Sequence, residues 1–456
     1  FDARTANAGN IQRHPPKQCY LQHIKIPHSM TYKETIDYLY NIAPAFTKIG
    51  ASAYKEGLET TNALDAHANH PHQSYMTVHV AGTNGKGSCS HTLAAILQTA
   101  GMKVGLFTSP HLMTFRERIR VNGEIISEEY VVSWVEKNRT FFEKLQPSFF
   151  ELTTAMAFEY FRDAQVDIAI IEVGLGGRLD CTNIISPILS VITNISYDHT
   201  QFLGNTLEAI ATEKAGIIKK GTPVVIGETT DVTRQVFKQH ADKASAPIIF
   251  AEDSSVIINA EYQLKGAYQT KNLNTILACM LPLARALKKK GVKINNATQI
   301  IRYALANVCT ITGLQGRWQH LSANPLVICD TGHNLAAWQY LAPQIKHTAQ
   351  QRIAEYGIEN SCLRIVFGMV DDKDIESVLN MLPREATYYF TQADTHRAIP
   401  VEKIMTMALN HGIHGKTFSN VAEAYEEAMN DAEYYDTIFI GGSTYVVADL
   451  LTHING

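Results

Sequence analysis

No stretch of the 456-residue chain approaches the 18 or more consecutive apolar residues of a membrane-spanning helix, so no membrane partner is expected. Charge of one sign is also lacking. The formal net charge is −4, and the longest basic run, Lys288-Lys289-Lys290, closes a helix-like segment where lysines complement the dipole. A nucleic-acid partner is therefore not expected. The seven cysteines are scattered and contain no CxxC pair, which argues against a disulfide framework or zinc site and for reduced thiols in the cytoplasm. The first 29 residues lack the apolar core of a secretory signal and any sustained period. They read as a polar extension outside the fold. No repeat of solenoid length occurs.

What is present is an ordinary globular balance, 45% hydrophobic and 18% charged. The length exceeds the roughly 250–300 residues at which one core stops growing, so two domains are expected. Patterning begins at Met30 with MTYKETIDYLYNIAP, where Ile36, Leu39, Tyr40 and Ile42 can share a helix face. From Met76 the chain reads as apolar run, glycine loop and a helix from about Ser88 to Ala100 closed by Gly101. Further strands are expected at 104–107, 168–173, 189–194 and 223–226, with helices near 127–145 and 150–162. Alternation at this pitch predicts an α/β fold with a mostly parallel sheet covered on both faces. Near Val308 to Arg317 the pattern gives way to a loop. A second series follows, with strands at 326–329, 363–367, 387–390 and 437–440. The expected units are 30–312 and 313–456.

The stretch HVAGTNGKGS, His79 to Ser88, sits between apolar run and helix, where amides and the helix dipole favour an anion. It departs from the commonest phosphate loop, G-x-x-x-x-G-K-[ST]: the first glycine falls on Val80, and Gly87 follows Lys86, with Ser88 one place later. A phosphate-binding variant is the reading. Ligands of open parallel sheets collect at the carboxyl ends of the strands. The segments there are TSPHL, IIEVGLGGRLDCTN, ITNISYDHTQFLG and ATEKAGIIKKG. Glu172 lies in an apolar run, where a carboxylate is costly without a partner or metal. Asp198-His199 offers a hard oxygen and an imidazole. Mg²⁺ takes few protein ligands, mainly oxygen, and leaves room for phosphates; hydroxyl, carboxylate and one imidazole would suit two ions. Lys214, by its pattern alone, is a solvated helix lysine.

Together, HVAGTNGKGS, LFTSPHL with FRERIRVNG, FFELTTAMAF, IIEVGLGGRLDCTN, ISYDHTQFLG with EKAGI, GRWQ, DTGHN and FGMVDDKD resemble the folylpolyglutamate synthase/dihydrofolate synthase family of the Mur ligase superfamily. The resemblance implies a P-loop-type parallel-sheet ATPase domain, like the Mur ligase central domain, followed by a smaller Rossmann-like α/β domain. It implies an ATP-dependent ligase, with ATP and two Mg²⁺ ions as cofactors, that activates a pteroate or folate carboxylate as an acyl phosphate and joins it to L-glutamate, the two domains closing to keep water from that intermediate. Its substrates would be dihydropteroate, reduced folates or both, and the chain a monomer.

The same resemblance assigns residues. Thr83, Asn84, Gly85, Lys86, Gly87 and Ser88 would hold the triphosphate. Ser109, Glu172 and His199 would bind magnesium, with Lys214 carbamylated in support of the second ion. Asn272 would contact adenine. Arg317, Asp330 and His333 would reach phosphate and ribose; an arginine fork suits phosphoryl oxygens. Lys86, Lys214, His199 and Arg317 would be catalytic. Ser148, Phe149, Phe150 and Glu151, with Leu179, Asp180 and Cys181, would form the pterin pocket, although Phe149 and Phe150 equally suit core packing. DTGHN stands for the more usual DGAHN, Cys181 for a common alanine, and Tyr268 for a frequent histidine. Asp372-Lys373-Asp374 and His396-Arg397 are candidates for glutamate binding. Other Mur-type ligases and a silent nucleotide-binding homologue are the alternatives; cell-wall Mur ligases carry a further N-terminal UDP-binding domain, for which only some 45 residues lie between Met30 and the loop.

Overall fold

The computed structural model describes residues 30–43, 57–357, 362–371 and 373–456; the expected extension at 1–29 and Asp372 lie outside them. The first sheet contains β1 (Met76–Ala81), β2 (Val104–Phe107), β3 (Ile119–Val121), β4 (Glu124–Ile125), β5 (Ile168–Glu172), β6 (Leu189–Ile192), β7 (Val224–Ile226) and β8 (Ile248–Phe250). Its order is β4-β3-β2-β5-β1-β6-β7-β8. Pairing is parallel from β2 to β8, and β3 and β4 add an antiparallel edge. The second sheet contains β9 (Gln319–Ala323), β10 (Leu326–Asp330), β11 (Leu363–Phe367), β12 (Thr387–Phe390), β13 (Gly415–Thr417) and β14 (Thr437–Gly441). Its order is β13-β12-β11-β14-β10-β9, parallel apart from β9.

The inner strands bury both faces, which is why their residues run largely apolar. Ile168 and Ile170 of β5 pack under helices Lys86–Thr99 and Gln269–Lys289, whereas Ala169 and Ile171 face helices Glu128–Leu145 and Phe149–Asp163. The second sheet repeats the pattern. Ile365 and Phe367 meet Trp338 and Leu341 on one side, while Val366 joins Val421 and Leu450 on the other.

Several expectations need adjustment. Val308–Thr312 is a short helix, because Val308 is drawn into the first core; the loop begins only at Gly313. Helix Tyr32–Ile42 starts after Met30, where Thr31 and Glu34 form a reciprocal cap. It buries Leu39 fully and Ile36, Tyr40 and Ile42 in part. Strands β3, β4, β8, β9 and β13 were not expected. They are short, and most lie at sheet edges, where one unburied side removes the apolar signal.

Candidate active site

The carboxyl ends of both sheets face one cavity of about 600 Å³, walled by residues that follow β1, β2, β5, β6, β10, β11, β12 and β14. Strand β1 delivers the glycine loop to it. Gly85 has φ of 82°, and a side chain there would run into the amide of Asn272, so this turn requires glycine. Helix Lys86–Thr99 starts without a side-chain cap, unlike the helices capped by Ser127 and Ser148. Its first amides remain available to an anion. Lys86 Nζ donates to the carbonyls of Gly82 and Thr83 at 3.1 Å each. The Asn84 amide donates to Asn194 Oδ1 at 2.9 Å, and the Thr83 hydroxyl to the Ser196 carbonyl at 3.2 Å, which tie the loop to the end of β6.

Glu172 ends β5, 3% exposed. Among the described residues its carboxylate accepts one hydrogen bond, a long one of 3.4 Å from the Ser109 amide, and burial pushes it up to about 7 against the pull of Lys86, Arg317 and Arg118. A carboxylate so placed is under-compensated. A methyl added at Gly87 would lie 3.7 Å from Arg317 Nη2 and 3.8 Å from Glu172 Oε2, so loop, carboxylate and linker arginine meet around that glycine. His199, with left-handed backbone, follows Asp198 at the end of β6. Lys214 is buried, not solvated as its pattern reads. Helix Leu207–Ala215 docks directly on the glycine-rich loop after β5, and a side chain at Gly177 would collide with the Glu213 carbonyl and the Lys214 backbone. Burial first, and the charge of Lys86 second, lower the Lys214 amine to about 7. Thr83, Asn84, Gly85, Lys86, Gly87, Ser109, Glu172, His199, Lys214, Arg317 and His333 therefore line one cavity.

Three expected contacts lie behind the cavity wall. Ser88 accepts from Gln269 Nε2 at 3.0 Å, and Asn272 donates to Gln269 Oε1 at 2.8 Å. Asp330 is 1% exposed, with Tyr268 and two backbone amides on its oxygens. At the expected pterin end, Ser148, Phe149, Phe150, Glu151, Leu179, Asp180 and Cys181 all line the cavity, but several already serve the fold. Ser148 and Glu151 form a reciprocal helix cap, and Glu151 also accepts from Thr61 at 3.1 Å. Phe149 is buried in the core, stacked 4.8 Å from Tyr40, whereas Phe150 is half-buried against Phe107. Asp180 accepts the amides of Gly174, Leu175 and Thr182 and so shapes the loop after β5. Cys181 Sγ lies 3.1 Å from the Thr154 hydroxyl.

Of the glutamate candidates, Lys373 and Arg397 line the cavity, His396 is exposed, and Asp374 caps helix Ile375–Met381. Sequence reasoning missed what Lys373 does: its Nζ is 2.6 Å from Asp198 Oδ1. Asn334 Nδ2 reaches Asp198 Oδ2 at 3.2 Å, His333 stands 3.8 Å away, and Asn334 also bonds Asn84. Burial alone would raise the Asp198 carboxyl, but His333, Lys373 and His199 hold it well below the usual carboxylate range. Also missed was Arg118 of FRERIRVNG. It is buried in the wall, its Nε donating to His111 Nδ1 at 2.8 Å, with its guanidinium 5.6 Å from the Phe149 ring. No local pattern marks Lys373, because its partner comes from the other sheet, and none marks Arg118, because the Phe149 ring it meets lies on a separate helix.

The Mur ligase middle domain model matches residues 80–280, and the Mur ligase, glutamate ligase domain model matches residues 316–444. A curated dihydrofolate synthase/folylpolyglutamate synthase of Bacillus subtilis is 34% identical over 420 residues, covering 87% of this chain and 94% of that protein. The chain belongs to the folylpolyglutamate synthase/dihydrofolate synthase family. Escherichia coli FolC, solved in complex with DHPP and ADP, superposes with a TM-score of 0.77 at 30% identity, covering 94% of this chain and 98% of that one. The Yersinia pestis bifunctional synthase with Mn, AMPPNP and L-glutamate bound gives a TM-score of 0.76 at 28% identity, covering 94% and 99%. The synthase described here is accordingly an ATP-dependent ligase with the two-sheet architecture of the family. Among its described residues no helix is long and apolar enough to cross a membrane.

Proposed function

We propose that this synthase joins L-glutamate to the carboxylate of both dihydropteroate and reduced folates, cleaving ATP to ADP and phosphate. The observation that carries the reading is the convergence of Lys86, Glu172, Lys214 and Arg317 on one cavity between two sheets. The substrate carboxylate attacks the γ-phosphorus, ADP leaves, and an acyl phosphate results. The glutamate amine then attacks the acyl carbon and loses a proton, and phosphate departs.

In this reading Lys86 and the amides from Thr83 to Ser88 bind the triphosphate, and Arg317 stabilises charge on the transferring group. His333 bounds the nucleoside end, with Asn272 and Asp330 in the layer behind it. The residues after β5 and at the start of helix Phe149–Asp163 receive the pterin. Lys373 and Arg397 face the α-carboxylate of glutamate. A divalent metal such as magnesium would be held by Ser109, Glu172 and His199, with Lys214 joining as its carbamate. The fit rests on Glu172, a buried carboxylate that, among the described residues, accepts one long hydrogen bond. Among the described residues no three His, Cys, Asp or Glu side chains form a ready cluster, and a metal there would rely on phosphate oxygens as well. When bound, the metal neutralises phosphate charge. Closure of units 30–312 and 313–456 protects the acyl phosphate from water. We further propose a monomer working in the cytoplasm.

Phosphate release with glutamate and Mg²⁺ tests this in three arms: dihydropteroate, tetrahydrofolate and a UDP-N-acetylmuramoyl substrate. Turnover is expected in the first two. Turnover with the UDP sugar alone would overturn the reading, and silence in all three would favour a nucleotide-binding homologue without activity.

A further inference from the structure

The geometry points to Tyr268 as a positioning residue for Arg317, acting through Asp330; the inference rests on the phosphoryl-transfer reading of the cavity. Tyr268 stands at the start of helix Gln269–Lys289, and its hydroxyl donates to Asp330 Oδ2 at 2.6 Å. The same oxygen accepts the Trp318 amide at 2.7 Å, and Oδ1 accepts the Gly332 amide at 2.8 Å. One buried carboxylate thus joins the first sheet's covering helix, the linker and the end of β10.

The linker needs such a clasp. Trp318 has φ of 47°, a left-handed conformation that a bulky residue keeps only where its surroundings impose it. On the other side of Arg317, Gly316 donates to Gln319 Oε1 at 2.7 Å, and its carbonyl accepts the Thr331 amide at 3.1 Å. Arg317 is the residue between these two held neighbours, and its guanidinium is delivered to Gly87 and Glu172. The Tyr268 ring packs on the second domain's core, so replacing it with phenylalanine removes the hydroxyl and keeps the packing.

Tyr268→Phe should lower kcat roughly tenfold, the scale of one hydrogen bond to a charged group, with the KM for glutamate unchanged. Tyr268→His should recover most of it, since an imidazole N–H can donate to Asp330. In an Arg317→Ala background the phenylalanine change should add no further loss, because the clasp then has nothing to position. Calorimetry supplies a readout apart from turnover. With Mg²⁺, Tyr268→Phe should weaken β,γ-imido-ATP severalfold and leave ADP binding intact, which also reports that the variant folds. Losses that multiply in the double variant, or equal weakening of both nucleotides, would overturn the proposal. A wild-type protein that binds nucleotide but releases no phosphate with any folate substrate would sink the functional reading instead, leaving calorimetry to decide the clasp.

Discussion

Lys214 and Glu172 are the two residues whose chemistry depends most on where the fold puts them. Only a neutral amine forms a carbamate, and with the Lys214 amine lowered to about 7 its neutral fraction rises as pH climbs through neutrality. A carbon-13 carbamate signal with labelled bicarbonate should therefore be strong at pH 8 and weak at pH 6. Lys214→Ala should nearly abolish turnover, and short carboxylates should partly restore it; full activity of the variant would remove carbamylation from the mechanism. Glu172 has the opposite sign. Its folded pKa of about 7 lies above the unfolded value, so its contribution to stability is complete below the unfolded pKa and lost as pH rises through about 7. A metal held there as proposed has to displace that proton. The rise in melting temperature given by Mg²⁺ plus ADP should be larger at pH 8 than at pH 6, and an equal rise at both would disconnect Glu172 from the metal.

Individual elements carry two jobs at once. The turn at Gly85 must be left-handed and must clear Asn272, so Gly85→Ala should cost more than about 1 kcal/mol and abolish nucleotide binding, readable by thermal melting and calorimetry. Ser148→Ala removes a helix cap worth about 1 kcal/mol, so its melting temperature should fall even without substrate. If Ser148 also touches the pterin, the KM for dihydropteroate rises beyond what the stability loss explains. Legibility follows the same division. Strands β2, β11 and β12 read off the sequence at their observed bounds because burial on both faces leaves an unbroken apolar run. The loop after β1 read as an anion site because helix start and glycines are adjacent in the chain. The helix at Val308–Thr312 did not, because five residues are too few to show a period and packing against the first core decides them.

At the scale of the whole molecule, Asp198 pins the two sheets together. Lys373 and Asp198 are both nearly buried, 8% and 10% exposed, and removing one partner leaves the other charge uncompensated. Asp198→Ala should loosen the domain interface, raising the small-angle scattering radius and the proteolysis rate at the linker near Gly313 to Trp318. An unchanged radius and cleavage rate would show that the other contacts suffice.

By itself the sequence determined the two α/β sheets, the glycine loop that opens a helix after β1, and the family, since each depends on residues contiguous in the chain or on blocks in a set order. Tertiary structure alone decided that Lys214 is buried rather than solvated, that Asp330 faces Tyr268 rather than the open cavity, and that Lys373 meets Asp198. The physical reason is common to all three. A side chain's charge state and partner are set by desolvation and by groups tens or hundreds of residues away, and no local pattern encodes either.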